Sequence, residues 1–190
     1  MKINRLVDLL KLKNNKRMKL VVIASHDKEV LQSVKGCYDY GLIEPILIGD
    51  LKKTKKLAEE LNISIENYYS IDEKDLEKAA EIGVKLISSG NADFIMKGLI
   101  DTSILLKAVL NKEWGLRTES LLSHVMIYDI ENYHKLLYLT DGGMNINPTL
   151  EDKVKIIENA GMVTRSLGNK VTNVAILAAK EKVDLKMIST

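Results

Sequence analysis

This 190-residue chain has one cysteine, one tryptophan and one phenylalanine, and aromatic residues make up only 5% of it. The single thiol, Cys37, rules out an internal disulfide framework and any cysteine-cluster metal site. Its place on the apolar face of a helical pattern makes it a small core residue. So few aromatics argue against a base-stacking nucleic-acid platform. Net charge is only +2 and the basic residues are dispersed, so no electrostatic footprint for nucleic acid stands out. The densest basic run, Lys52-Lys53-Thr54-Lys55-Lys56, reads as a solvated helix face. No apolar stretch approaches the ~18 residues that span a bilayer. The charged start, MKINRLVDLLKLKNNKRMK, has no signal-peptide core. The expectation is a cytoplasmic protein without membrane or nucleic-acid partners. The three histidines, His26, His124 and His134, lie at no metal-ligand spacing. Walker, GxGxxG and nucleophile-turn motifs are all missing.

What the chain does have is ordinary globular material, 46% hydrophobic and 28% charged. Apolar runs rich in β-branched residues alternate with helical periodicity. Ile3–Leu12 reads as a short amphipathic helix, and Lys11–Lys19 links it to a strand at Leu20–Ala24. Ser25, His26 and Asp27 end that strand and can cap a helix carrying Val30, Leu31, Val34, Cys37 and Tyr38 on one face. A strand at Glu44–Ile48, a helix at Leu51–Leu61, a short strand near Tyr68–Ser70 and a helix at Asp72–Ser88 follow. Strand Asp93–Met96 and helix Ile104–Leu110 come next, then a hairpin of His124–Tyr128 with Lys135–Thr140. Thr149 with Asp152 starts a helix to about Leu167, with Leu150, Val154, Ile157, Ala160, Thr164 and Leu167 turned inward. Val174–Ala179 reads as one more buried strand. The class is therefore α/β, a layered, mostly parallel sheet with flanking helices.

In such sheets ligands gather at the carboxyl ends of strands, and the stretch DFIMKGLIDTS, Asp93–Ser103, is the clearest candidate. A strand runs into Lys97-Gly98, and Asp101, Thr102 and Ser103 open a helix. Free backbone N–H groups, hydroxyls, a helix-dipole end and a lysine are the parts of an anion site, although a plain helix cap also explains Thr102 and Ser103. Two further loops join it. Arg117-Thr118-Glu119-Ser120 sets an arginine among hydroxyls, which is either a solvated loop or an oxyanion clamp. Asp141 to Pro148 is a turn-rich loop that can present Asp141, Asn145 and Asn147. His124 reads as a structural histidine.

The run MKGLIDTSILLKAVLNKEWGLRT, then SLLSHVMIYD and YHKLLYLTDGGMNINPTLEDK, closely resembles the phosphate butyryltransferases of the phosphate acetyl/butyryltransferase family. The likeness extends from Val21–Ala24, with the following His26-Asp27, to Val174–Ala179. It implies a two-domain architecture like that of isocitrate and isopropylmalate dehydrogenases. On that pattern residues 1–145 form an N-terminal α/β domain and 146–190 the start of a second, incomplete one. It also implies interconversion of butyryl-CoA or a similar short-chain acyl-CoA plus phosphate with acyl phosphate plus CoA. CoA is then a substrate, with no prosthetic group and no metal. Acyl-CoA, phosphate and acyl phosphate are the small-molecule partners, and a homo-oligomer is expected. The substrate-binding residues implied are Lys97, Gly98, Thr102, Ser103, Arg117, Ser120, Asp141, Asn145 and Asn147.

Two departures from the family pattern stand out. Family chains continue well past the equivalent of Thr190, and their later part holds the base for the thiol, so the resemblance implies C-terminal truncation and assigns no catalytic base here. Glu119 places a carboxylate where an anion would be repelled. The alternative is a non-catalytic phosphate- or acyl-phosphate-binding fragment, or one subunit of a split enzyme. A dehydrogenase of the similar fold would need a dinucleotide fingerprint and an acidic metal cluster, and the sequence has neither.

Overall fold

A computed structural model of the chain describes residues 3–12, 16–178, 180–184 and 186. It divides into two compact units, one formed by residues 13–119 and the other by residues 1–12 together with 120–190. The first is a four-stranded parallel sheet. Strands β1 (Met18–Ile23), β2 (Ile43–Gly49), β3 (Tyr69–Asp72) and β4 (Phe94–Lys97) lie in the order β3-β2-β1-β4. Register pairs Val21 with Ile46 on one side and with Ile95 on the other. Helices α1 (Lys28–Asp39), α2 (Leu51–Glu60), α3 (Leu76–Ser88) and α4 (Thr102–Val109) cover both faces.

The alternation of side chains along β1 sorts the core. Val21 and Ile23 pack against Ala79, Ala80 and Val84 of α3 and against Leu105 and Ala108 of α4. Leu20 and Val22 face Val30 and Val34 of α1. Leu31 and Ala58 join α1 to α2 on that same side. Val21, Val22 and Ile23 are completely buried, and each such aliphatic contributes about 1.5–3 kcal/mol. This two-sided burial is why β1 and β2 read as continuous apolar runs. The lysines of α2 are exposed around buried Thr54, as a solvated face requires.

Asp27, Asp50 and Asp75 cap α1, α2 and α3, each accepting from a backbone N–H three residues on. Helix α3 starts at Leu76 rather than near Asp72, because residues 69–72 are drawn into the sheet beside β2. Inside α1, Gly36 has nothing within 4 Å of the place a Cβ would occupy. Gly36→Ala is therefore expected to stabilise the chain by up to about 1 kcal/mol, since glycine costs that much in a helix interior; a chemical-denaturation midpoint checks it.

The second unit is assembled from both ends of the chain. The short amphipathic helix expected over Ile3–Leu12 is a 3-10 helix and covers Leu6–Leu12. Its start is clamped to the 120s: the Arg5 guanidinium pairs with Asp129 at 2.9 Å, and Leu6 N–H donates to the same carboxylate at 2.8 Å. Arg5 also donates to the carbonyls of Ile130 and Glu131. The link read over Lys11–Lys19 falls partly on residues 13–15, which lie outside the described residues. Strands β5 (Met126–Tyr128) and β6 (Leu137–Leu139) form the expected antiparallel hairpin, in shorter pieces.

Helix α5 (Leu150–Ser166) begins with a capping box between Thr149 and Asp152. Its buried residues are Ile156, Gly161 and Thr164. Leu150 and Val154, expected inward, are exposed, so the apolar pattern of the first two turns does not mark the packed side. The expected strand at Val174–Ala179 does not form over residues 174–178, and Ala179 lies outside the described residues. Ile176 and Leu177 are 77% and 82% exposed. The physical reason is pairing: a buried parallel strand needs a hydrogen-bonded neighbour, and among the described residues this segment has none.

Candidate functional site

In the parallel sheet the chain goes from β1 outward to β2 and β3, then returns to β4 on the other side of β1. The order reverses between β1 and β4, and the crevice outside their carboxyl ends is where open α/β sheets bind ligands. The helices that follow these two strands approach it from opposite faces, α1 from one and α4 from the other.

The backbone is tightly fitted here. Gly98 N–H donates to the Ile23 carbonyl at 2.8 Å, and Leu99 N–H to the Ala24 carbonyl at 2.9 Å. A Cβ on Gly98 would sit 2.3 Å from Ala24 O and 2.5 Å from Ile23 O, so only glycine fits. On the other side of Ala24, Gly49 has φ +148° and its Cβ position lies 3.1 Å from Ala24 Cα. Ala24 itself has φ 54°. Ser25 is fully buried and its hydroxyl meets that of Thr54 at 3.1 Å, which makes it part of the scaffold.

Lys97 is exposed, and its ammonium donates to the Gly98 carbonyl at 3.3 Å. Asp101 is the N-cap of α4 but its side chain makes no capping hydrogen bond. The two exposed residues that open the helix, Thr102 and Ser103, therefore present hydroxyls and first-turn N–H groups at an end where no side chain takes them up. Lys97 ends β4, Gly98 follows it, and Thr102 and Ser103 open α4, so one short stretch of chain carries a cation and a helix-dipole end.

Arg117 lies elsewhere in the same unit. Leu116 N–H donates to Val109 O at 2.7 Å, and the Asn111 side chain accepts from Glu113 and Trp114 N–H. Trp114 and Leu116 pack on the core. This fold-back fixes the Arg117 backbone at the C-terminal end of α4, one eight-residue helix from Thr102, about 12 Å at 1.5 Å per residue. The Arg117 side chain is exposed and makes no ion pair among the described residues.

Ser120, Asp141, Asn145 and Asn147 belong to the other unit. The Asp141 carboxylate faces its own loop, accepting from Asn145 N–H at 3.1 Å, Met144 N–H at 3.3 Å and His124 N–H at 3.4 Å, and from the Asn145 side chain. Burial, the largest single influence, pushes this carboxyl up. The bonds from Asn145, Met144, His124 and Gly143 together outweigh it and hold Asp141 below the usual carboxylate range. The Asn145 amide also donates to Leu122 O at 3.0 Å, which ties the loop to the segment that Ser120 opens. Asn159 of α5, which the sequence did not single out, donates to Leu121 O and Ser123 Oγ and fixes that segment from the helix side. An asparagine in a helix carries no pattern signal for such a role. Asn147 is exposed on the rim of its loop. Among the described residues no group of acids, histidines or cysteines could hold a metal ion, and no helix is long and apolar enough to cross a membrane.

The family model described as phosphate acetyl/butaryl transferase matches residues 71–190. Phosphate butyryltransferase of Clostridium beijerinckii is 41% identical over 96% of this chain and 60% of its own length. Phosphate butyryltransferase of Clostridium acetobutylicum is 35% identical over the same shares. The chain thus spans about 60% of the length of these curated relatives. Among solved structures, a branched-chain phosphotransacylase from Enterococcus faecalis V583 superposes with a TM-score of 0.75 at 29% identity, covering 90% of this chain and 60% of that one. On the match across residues 71–190, the chain belongs to the phosphate acetyl/butyryl transferase family.

Proposed function

We propose that the chain is, or forms part of, a phosphate acyltransferase that interconverts butyryl-CoA or another short-chain acyl-CoA plus phosphate with acyl phosphate plus CoA. The observation that carries this is the uncapped start of α4 beside Lys97-Gly98, set at the β1/β4 switch point of a chain belonging to this family. In the synthetic direction a phosphate oxygen attacks the thioester carbonyl and expels CoA thiolate. In reverse, the thiolate attacks the acyl phosphate carbonyl and expels phosphate. Both pass through a tetrahedral oxyanion, so phosphate clamps and oxyanion donors are what such a site must supply.

The first-turn N–H groups and hydroxyls of Thr102 and Ser103 would take phosphoryl oxygens, with Gly98 allowing close backbone approach and Lys97 adding charge. Arg117, in the same unit, would bind the anion as well. CoA enters as substrate, and no base for its thiol is assigned among these residues.

Calorimetry with inorganic phosphate and with butyryl phosphate tests the site. Arg117→Ala should weaken phosphate binding about ten- to a hundredfold, the usual loss for a hydrogen bond to a charged group. Unchanged affinity removes Arg117 from the site. Release of free thiol from butyryl-CoA in the presence of phosphate tests turnover. Phosphate binding without turnover would favour the second reading, a binding part of a split enzyme.

A further inference from the structure

We propose a second ligand site at the amino end of the parallel sheet, one that takes an anion joined to an aromatic ring, the chemistry of a nucleoside phosphate. Two adjoining clefts of about 530 and 510 Å³ open there and share Arg17, Lys19, Glu44 and Asn91 in their walls. Small-molecule sites usually measure about 300–1,000 Å³. Every lining residue belongs to the unit of residues 13–119. The six residues of β1, about 20 Å at 3.3 Å per residue, separate this end from the β1/β4 crevice.

The apolar half follows from where α3 ends. Lys19 shares a sheet face with Val21 and Ile23, which is the face α3 covers. Register sets Glu44 beside Lys19 and Tyr69 beside Ile46 on that face. Leu86, in the last turn of α3, forms one wall, and the chain then turns back at Gly90 into β4. The strand starts beyond that turn have no helix over them, so Tyr69 stays 65% exposed beside buried Pro45 and Ile46. An uncovered tyrosine ring over an apolar floor is a stacking surface for a flat ring. The exposed amides of Asn67 and Asn91 in the same cleft can donate to and accept from that ring's edge.

The charged half is Lys16, Arg17 and Lys19, whose side chains make no ion pair among the described residues. Arg17 is held by a ring instead: its guanidinium carbon lies 4.8 Å from the centroid of Tyr38, and Tyr68 braces Tyr38 edge-on at 4.9 Å. A guanidinium stacked in this way is fixed in place and keeps its N–H donors for an anion. The Asp93 carboxylate in the same wall is taken by the Lys19 backbone N–H at 2.7 Å. Glu44 is left as the one uncommitted carboxylate in the lining, and it suits the hydroxyls of a sugar set between phosphate and base. Three cations beside an apolar floor thus match a ligand that is charged at one end and aromatic at the other.

Nitrogen-15 NMR of the backbone amides of the wild-type chain, titrated separately with adenosine monophosphate, adenosine and inorganic phosphate, tests this. The expected result is that the nucleotide moves the Lys19, Glu44 and Asn91 amides and binds there at least about tenfold more tightly than either half alone. Phosphate binding there as tightly as the nucleotide would reveal a plain anion patch, and adenosine doing so a plain apolar one; either overturns the proposal. So does a nucleotide that leaves all three amides unmoved. If it moves only Thr102 and Ser103, the ligand belongs to the β1/β4 crevice, which overturns the second site and leaves the phosphate reading of the first intact. By calorimetry, Arg17→Ala should weaken nucleotide binding about tenfold, the loss of a hydrogen bond to a charged group, and Tyr69→Ala about fivefold or more. Both side chains are exposed, so both variants should keep the wild-type fold by circular dichroism. Wild-type affinity in both overturns the proposal.

Discussion

Gly98→Ala is expected to lower the thermal midpoint by about 6–12 °C and to abolish phosphate binding in the same variant. The added methyl would lie 2.5 Å from the carbonyl oxygen of Ile23, the last residue of β1, and 2.3 Å from that of Ala24, the residue after it, both backbone atoms. Neither can rotate away as a side chain would. Relief requires β4 to pull back from β1, which breaks the hydrogen bonds from Gly98 to Ile23 and from Leu99 to Ala24. Overpacking of this kind costs about 3 kcal/mol, and each kcal/mol moves the midpoint of a chain this size by about 2–4 °C. Circular-dichroism melts measure the first effect and calorimetry the second. A midpoint within 2 °C or so of wild type would mean that the two strand ends are not held as described. The contrast with Gly36→Ala is informative, because the same chemical change at an open helical position is expected to act in the opposite direction.

Asp141→Ala is expected to cost about 2–4 kcal/mol and to loosen the 141–148 loop. The carboxylate gathers donors from Met144, Asn145 and His124, and a charged acceptor of several bonds is worth more than a neutral one. Without it, those N–H groups turn to water and the loop loses the centre it is wound around. The penalty depends on pH in a defined sense. A carboxyl held below its ordinary range in the folded chain adds stability that is fully present above its unfolded value, near pH 4, and is lost as pH falls through the folded value. Urea titrations should therefore give a constant gap between wild type and Asp141→Ala from about pH 5 to 8, narrowing below about pH 4. A gap that widens on acidification would show that Asp141 is not the ionised hub of its loop.

Much of the sheet unit was legible because its signals are local. Val21–Ala24 and Pro45–Ile48 are apolar runs bounded by capping acids, and a strand buried on both faces gives that pattern. Gly98 was legible as a turn residue, while the reason no other residue fits depends on Ala24, which is far away in sequence. The candidate anion rim was found from Lys97, Thr102 and Ser103, yet only coordinates could show that Asp101 leaves α4 without a side-chain cap. Asp141 and Asn145 were legible as a polar loop. Their hydrogen bonds show that they organise the loop, and composition cannot separate an acid that presents from one that accepts.

The misses share one cause. Apolar residues at Leu150, Val154, Ile176 and Leu177 announce a preference for burial, whereas burial depends on a partner surface that spacing does not supply. In α5 the packed stripe runs through Gly161 and Thr164, a small residue and a hydroxyl that a search for apolar periodicity passes over.

The clamp between Arg5 and Asp129 has a consequence for how the chain is made. Residues 13–119 are contiguous, so that unit can complete its sheet from sequence already in hand. Its companion cannot, because the segment carrying Arg5 waits on an aspartate 124 positions downstream and must keep its place while the whole parallel sheet is laid down in between. Joining ends so far apart costs loop-closure entropy that no local contact offsets beforehand. Synthesis proceeds from the amino terminus and contiguous units form first, so the segment carrying Arg5 is translated before its partner and docked late.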